Sequence, residues 1–405
     1  LDHAMVRAES CLIEGNSFAG FYSTAFEDPL GGPENSVELI DVDIRDTSPS
    51  LFDPTWDDLA GFGISVDVGS LFAQDCRLDN NSVEGLRIMD AGTRATLVDV
   101  DVTNTRIDPA GEFGWGVSVG SGAYLYMTGG VLDGNAAGLY GGGSSNGVRT
   151  EVHLHSVVIR NSEERAIGVT GSAAVTGEVW LTAEDCLLDN NRGAGVVVVH
   201  PATVVDLTRV EITNTRPRDT GTNGNGIYAA NGATVTATDC TLSNNREVGV
   251  SARDPYTVVT LDSVTVHDTH PNDVGEFGYG LEAGAGATLE ATGCALARNH
   301  RVGILVDGPS TVVTLTETAV SDTRWLPENT VAVGLLAQNW ATVEADLATF
   351  MGTDGPGIVL NGYLTVTCSG CDLLDNAYAG AAVLSGGHLE LDGGSRVSGT
   401  TSHGQ

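Results

Sequence analysis

"DCLLDNNRGAGVVVV" (Asp185–Val199) returns as "DCTLSNNREVGVSAR" (Asp239–Arg253) and, more loosely, as "GCALARNHRVGILVD" (Gly293–Asp307). The three cysteines, Cys186, Cys240 and Cys294, stand 54 residues apart in both intervals. Cysteine, then paired asparagines, then glycine at a fixed interval admits three explanations. It is a row of metal sites, a set of disulfides, or a stacked fold that needs the same residues at the same corner of successive turns.

A second unit alternates with the first. "TVVDLTRVEITNTR" (Thr203–Arg216) recurs as "TVVTLDSVTVHDTH" (Thr257–His270) and "TVVTLTETAVSDTR" (Thr311–Arg324). Both units place apolar residues in two period-two pairs, Val205/Leu207 then Val210/Ile212, and Leu181/Ala183 then Cys186/Leu188. Period two marks a strand with one buried face. The two-residue gap between pairs is a bend between two strands. A turn, a glycine and a third alternating strand follow. That glycine is read at 63, 85, 116, 138, 168, 195, 226, 249, 280, 303, 334, 357 and 380. Its spacing gives coils of 22–31 residues with three short strands each, the pattern of an all-β parallel solenoid. About 14 coils fill the 405 residues as one domain, 1–405, or as a segment of something longer.

Composition agrees. The chain has 53 glycines, only 6% aromatics and a formal charge of −34. All 19 basic residues are arginine. Such a surface repels nucleic acid and anionic membranes and suits divalent cations or cationic partners; it also keeps a long β surface soluble. No run of 18 apolar residues marks a membrane span. The sequence opens at Leu1 without a signal peptide; a processed mature chain reads this way, so location is inferred indirectly.

The coils "NNSVEGLRI", "NNRGAGVVV", "NNREVGVSA", "RNHRVGILV" and "DNAYAGAAV" carry the repeated Asn, spacer, Gly pattern. In this the chain resembles the right-handed parallel β-helix proteins of the pectate-lyase-like group. The resemblance covers roughly residues 10–400. It implies a right-handed helix and leaves activity open, since the same coil serves lyases, hydrolases, epimerases, tailspikes and adhesins.

In that register Cys76, Cys186, Cys240 and Cys294 point inward, with Gly130 on the rung between the first two. Consecutive cysteines two coils apart are about 10 Å from one another, beyond disulfide reach. They are core residues. "TCSGC" (Thr367–Cys371) is core packing or a local disulfide. Asn190, Asn214 and Asn244, with Asp268 and Asp322, share one corner, where Asn tolerates left-handed backbone and stacked amides form a ladder.

The wider coils add a row of loops after the Asn/Thr corner: "SPSLFDPTWDDLAG", "RIDPAGEFG", "RPRDTGTNG", "HPNDVGEFG" and "RWLPENTVAV". Their aromatics (Trp56, Phe113, Trp115, Phe277, Tyr279, Trp325) and acids (Asp108, Glu112, Asp219, Asp273, Glu276, Glu328) can stack on and hydrogen-bond a sugar, or simply cover the loop bases. With His270, the residues Trp115, Asp273, Glu276, Phe277, Tyr279 and Trp325 are the candidate substrate contacts. Asp273 and Glu276 are the candidate calcium ligands. Arg253, Glu282 and Asp307 face outward on three successive coils, about 5–10 Å apart, and are the candidate catalytic residues. An arginine beside acids resembles the lyase arrangement; paired carboxylates resemble a glycosidase. A structural ion pair explains Arg253 and Glu282 more simply. The chain lacks the N-T-D and G-H-G patterns of the family's polygalacturonases. The expected protein is a bacterial, extracellular or cell-surface β-helix, an adhesin-like or structural stalk contacting polysaccharide without catalysis. The alternative is a polysaccharide lyase or glycoside hydrolase on the loop-row face.

Overall fold

The structure is a computed structural model that describes residues 4–24, 35–48, 61–107, 114–145, 147–171, 177–325 and 331–400. The chain divides into two compact units, Leu1–Arg192 with His200–Val205, and Gly193–Val199 with Asp206–Gln405. Both are built from short parallel strands. Coil after coil, a glycine-led strand gives way to two strands joined by a two-residue bend whose first residue is in left-handed backbone. In the second unit one such coil is Val248–Arg253, Val258–Asp262 and Thr265–His267. Each strand pairs in parallel with its equivalents one coil before and after. The glycine-led sheet has six described strands in the first unit and eight in the second, which matches the expected coil count.

The left-handed residue explains the two-residue gap in the apolar pattern. Asp185, Asp239 and Ser263 have φ of 53°, 53° and 57°. Turning there carries the side-chain alternation past one position, so Val259, Leu261, Val264 and Val266 all reach the core. The coil glycine has a different cause. A Cβ on Gly226 would stand 2.5 Å from the carbonyl oxygen of Gly249 and 2.8 Å from Leu242 Cδ2, so backbone from the next coil occupies the space. One expected position is wrong. Leu139 pairs with Ile167 and Tyr140 with Gly168, so Ala166 holds the coil-glycine place and Gly168 faces outward two residues later. "ERAIGVT" contains a glycine near the right spot, and spacing alone selected it.

The cysteine interval is a core ladder. In the second unit the bend position is taken in turn by Val210, Cys240, Val264, Cys294, Thr318, Ala348 and Cys371, each joined to the next coil through its carbonyl oxygen. Cys76, Cys186, Cys240 and Cys294 are buried and free. Burial lifts their thiols, that of Cys186 to about 11. Cys368 and Cys371 are also buried and free, hydrogen-bonded to one another. Cys186→Ala should lower stability by about 1–2 kcal/mol through lost burial, read from the denaturation midpoint. A loss below about 0.5 kcal/mol would show the ladder position to be loosely packed.

The paired asparagines divide the work. The first takes the left-handed corner: Asn190, Asn214 and Asn244 have φ of 56°, 57° and 53°. Asn190 Nδ2 also donates to Asn161 Oδ1 at 2.7 Å. The main amide ladder is one residue later than expected. Asn81, Asn135, Asn191, Asn245, Asn299 and Asn376 are buried. Asn245 Nδ2 donates to the Ile212 carbonyl at 2.9 Å and its Oδ1 accepts from the Thr215 amide at 3.1 Å. Asn191 does the same with Ile159 and Ser162 in the first unit. Exposed turn geometry drew attention to the first Asn; the buried backbone groups that must be satisfied are met by the second.

Candidate functional site

The outward face of the glycine-led sheet concentrates the polar chemistry. In the second unit the register sets Ser251 opposite Glu282, Glu282 opposite Leu305, Arg253 opposite Gly284, and Gly284 opposite Asp307. Arg253 and Glu282 therefore meet: Nη2 lies 2.6 Å from Oε1, and Nε donates to Oε2 at 3.4 Å. Ser251 Oγ donates to the same Oε2 at 3.0 Å. Glu282 is only 6% exposed, so this is not the exposed surface pair that parity suggested. Asp307 lies in the column of Arg253, separated from it by Gly284, and accepts from Asn339 Nδ2 at 2.7 Å. Glu247 lies beside this pair. Burial raises its carboxyl, and Asn272 Nδ2 donates to it at 3.2 Å.

The loop 270–278 feeds this face. Phe277 and Tyr279 pack edge to face at 5.5 Å, and burial with the Glu282 charge pushes the Tyr279 phenol up. Asp273 and Glu276 are exposed. Their backbone amides donate to the Gly221 carbonyl and to Asn272 Oδ1. His270 lies at the loop base, bridged to Arg246, with its ring tilted 37° to that of His300 at 4.9 Å between centres. Trp325 is 54% exposed, and its backbone amide reaches Asp354 at 3.4 Å. Trp56, Phe113, Asp108, Glu112 and Glu328 lie outside the described residues.

A denser cluster lies on the same face of the first unit, and only Trp115 of it was anticipated. Strands Phe62–Asp67, Glu84–Met89, Trp115–Val119 and Ala137–Gly142 run side by side. Arg87 sits between two acids. Its Nη1 donates to Asp67 Oδ1 and to Ser65 Oγ at 3.4 Å, and its Nε is 3.9 Å from Glu84 Oε2. Ser118 Oγ donates to Glu84 Oε2 at 2.8 Å. Tyr22 is hydrogen-bonded to Asp67. The guanidinium lies 5.5 Å from the Phe62 ring centre, and Trp115 packs on Tyr140 at 4.7 Å with Arg165 over the indole. One cation serves two desolvated carboxyls, so both are harder to ionise. Glu84, 3% exposed, is pushed up to about 7 by burial. Burial also raises Asp67 despite the Arg87 contact. The signal was available in the sequence: Arg87 and Glu282 both stand two residues after their coil glycine, and Asp67 and Arg253 four after theirs.

Among the described residues, His155, Glu184 and Asp185 offer three metal-ligand atoms within 4.8 Å of one another. No helix among them is long and apolar enough to cross a membrane.

Parallel coils, an inward ladder of apolar and amide side chains, and loops issuing from one corner define a parallel β-solenoid. The chain belongs to the family described as right handed beta helix region, which matches residues 147–320 and 201–401. Among solved structures it is similar to the mannuronan C-5 epimerase AlgE6 A-module of Azotobacter vinelandii, at 14% identity and a TM-score of 0.49, covering 93% of this chain and 92% of that one. It is also similar to the catalytic unit of a GH87 alpha-1,3-glucanase from Streptomyces thermodiastaticus strain HF3-3, at 13% identity and a TM-score of 0.36, covering 91% and 63%. The Dettilon tailspike protein is similar at 11% identity and a TM-score of 0.35, covering 78% and 62%. No curated protein matches the chain.

Proposed function

We propose that this protein is an extracellular or cell-surface β-helix that contacts polysaccharide along the glycine-led face and its loops, without cutting it. The observation that carries this reading is the state of the acids on that face. Glu282 is held by Arg253 and Ser251, and Asp67 by Arg87. Glu84 is bonded to Ser118 and nearly covered. Carboxylates tied to fixed cations stiffen a surface; an acid or base must be able to reach its substrate. The exposed loop groups, Asp273, Glu276 and Trp325, suit hydrogen bonding and stacking on sugar rings.

One observation favours the second reading, a lyase or hydrolase. Glu84 keeps its proton near neutral pH, as a general acid must, and an arginine stands beside it. Incubation with a panel of neutral and acidic polysaccharides separates the two. We expect retention of glycan on the immobilised protein and no unsaturated or reducing-end product above a boiled control. Product formation that disappears in Glu84→Gln or Arg253→Ala would establish the enzyme instead.

The acidic loops give calcium a place in the same reading, through Asp273 and Glu276. Exposed carboxylates bind hard cations weakly, so the melting temperature should rise with low-millimolar calcium. No change at 10 mM calcium, a concentration well above the affinity range of such exposed sites, would remove that role.

A further inference from the structure

Away from the glycine-led sheet, two neighbouring coils of the first unit bring an imidazole to two carboxylates. Strands Thr150–His155 and Val179–Glu184 pair in parallel, with His153 opposite Thr182 and His155 opposite Glu184. Val152, Leu154, Leu181 and Ala183 between them are buried, so "EVHLH" (151–155) turns both histidines outward. A residue after Glu184 in a continuing strand would point inward. Asp185 does not, because its backbone turns left-handed there, at φ 53°. Glu184 and Asp185 are both exposed, and inward packing resumes at Cys186. One donor atom from each of His155, Glu184 and Asp185 lies within 4.8 Å of the others.

The fold does not require these side chains. One coil earlier the place of His155 is held by Thr128, and the left-handed bend is taken by Gly129 and Ser156 before Asp185. His153 is already engaged: its Nδ1 lies 2.8 Å from Thr182 Oγ1, its Nε2 is 3.8 Å from Glu151 Oε2, and its ring centre is 5.3 Å from that of Tyr124. His155 differs. Its Nδ1 stands 3.8 Å from Glu184 Oε2, too far for a hydrogen bond. An ion between them fits that gap. Zinc holds imidazole nitrogen and carboxylate oxygen at about 2.0–2.2 Å, so two such donors at a tetrahedral angle stand about 3.4 Å apart. A small rotation of the exposed Glu184 side chain closes the difference.

We propose that His155, Glu184 and Asp185 form a binding site for a divalent transition ion of the zinc class. Imidazole nitrogen suits such ions, whereas calcium and magnesium take oxygen ligands. Two carboxylates balance the charge of the ion, and three protein ligands leave a fourth position for water. Both carboxylates also interact with neighbouring groups, so the ion competes for them and the site is one of modest affinity. His155 and Glu184 belong to successive coils, so a bound ion ties one coil to the next and stabilises the folded chain. The site is independent of glycan contact and of calcium at Asp273 and Glu276, since it uses a different sheet and a nitrogen donor.

The test uses the whole chain, stripped of metal with a chelator and titrated calorimetrically with zinc, calcium or magnesium. His155→Gln and the pair Glu184→Gln/Asp185→Asn remove the donors, and asparagine tolerates the left-handed bend. His270→Gln/His300→Gln is the control, because those imidazoles also approach one another, at 4.9 Å between ring centres. We expect a single zinc site tighter than the weak binding of the acidic surface, and a melting temperature raised by zinc. Either site variant should bind zinc roughly tenfold or more weakly, with the control unchanged and the metal-free melting temperatures preserved. X-ray absorption at the zinc edge of the wild type should show nitrogen and oxygen neighbours with imidazole scattering, and it decides the matter if a variant fails to fold. Equal zinc binding by His155→Gln, loss of binding in the control instead, a sulfur or all-oxygen shell at the zinc edge, or displacement of zinc by equimolar calcium overturns the proposal.

Discussion

Asn245→Ala should destabilise the protein by about 3 kcal/mol, several times the effect of the same change at Asn244. The Asn245 amide satisfies the Ile212 carbonyl and the Thr215 amide at a site 1% exposed. Alanine leaves both without partners, and each stranded buried group costs about 1–3 kcal/mol. Asn244 holds an exposed left-handed turn, where alanine pays roughly 1 kcal/mol of backbone strain. The denaturation midpoints of the two variants make the comparison. Hydrogen exchange at the Thr215 amide localises it, since a solenoid opens locally as well as globally. Equal losses at the two positions would mean that the buried amide ladder does not hold neighbouring coils together.

The second large effect is a pH dependence written by Glu84. Its folded-state value of about 7 lies above the ordinary 4.5. The folded state therefore keeps a proton that the unfolded state has lost across that interval. The stabilisation is fully present below pH 4.5, declines between 4.5 and 7, and is gone above 7. Its size is about 3 kcal/mol. Glu84→Gln cannot ionise and keeps a partner for the Ser118 hydroxyl. The variant should gain on the wild type as pH rises from 5 to 8, with no gain below 4.5. Melting curves of both proteins across that range measure the difference. A difference that stays flat would show that Arg87 neutralises Glu84 fully and that the carboxyl is ionised throughout. Asp67 adds to the same trend, because burial raises its carboxyl too.

Local chemistry wrote the coil plainly. Paired apolar residues in period two, a left-handed residue, often Asp or Asn, at the bends, and a glycine where backbone crowds backbone are all properties of short segments. They repeat because each coil meets the same neighbour. The cysteines followed from the same logic: Cys240, Val264 and Cys294 share one buried column, and no thiol chemistry is needed to explain their interval. The slip at Gly168 shows the limit. Ala166 takes the glycine's place because the strand pairing of Leu139 with Ile167 decides it, and pairing is not a property of either segment alone.

The site was legible only where parity was applied. Arg253 and Glu282 were found because both face outward on neighbouring coils, and they do meet. Asp67 and Arg87 obey the same offsets from their glycines, but Glu84, which stands just before Gly85, does not, and the weight of the cluster lies in burial. Whether an outward carboxyl is solvated or covered depends on the Trp115 and Tyr140 rings that other coils lay beside it. The sequence by itself determined the periodicity, the turns and the solenoid, because those depend on contacts between like positions one coil apart. The tertiary structure decided which asparagine is buried and which acid keeps its proton. Each of those depends on the register between strands and on desolvation, and neither exists until the coils are stacked.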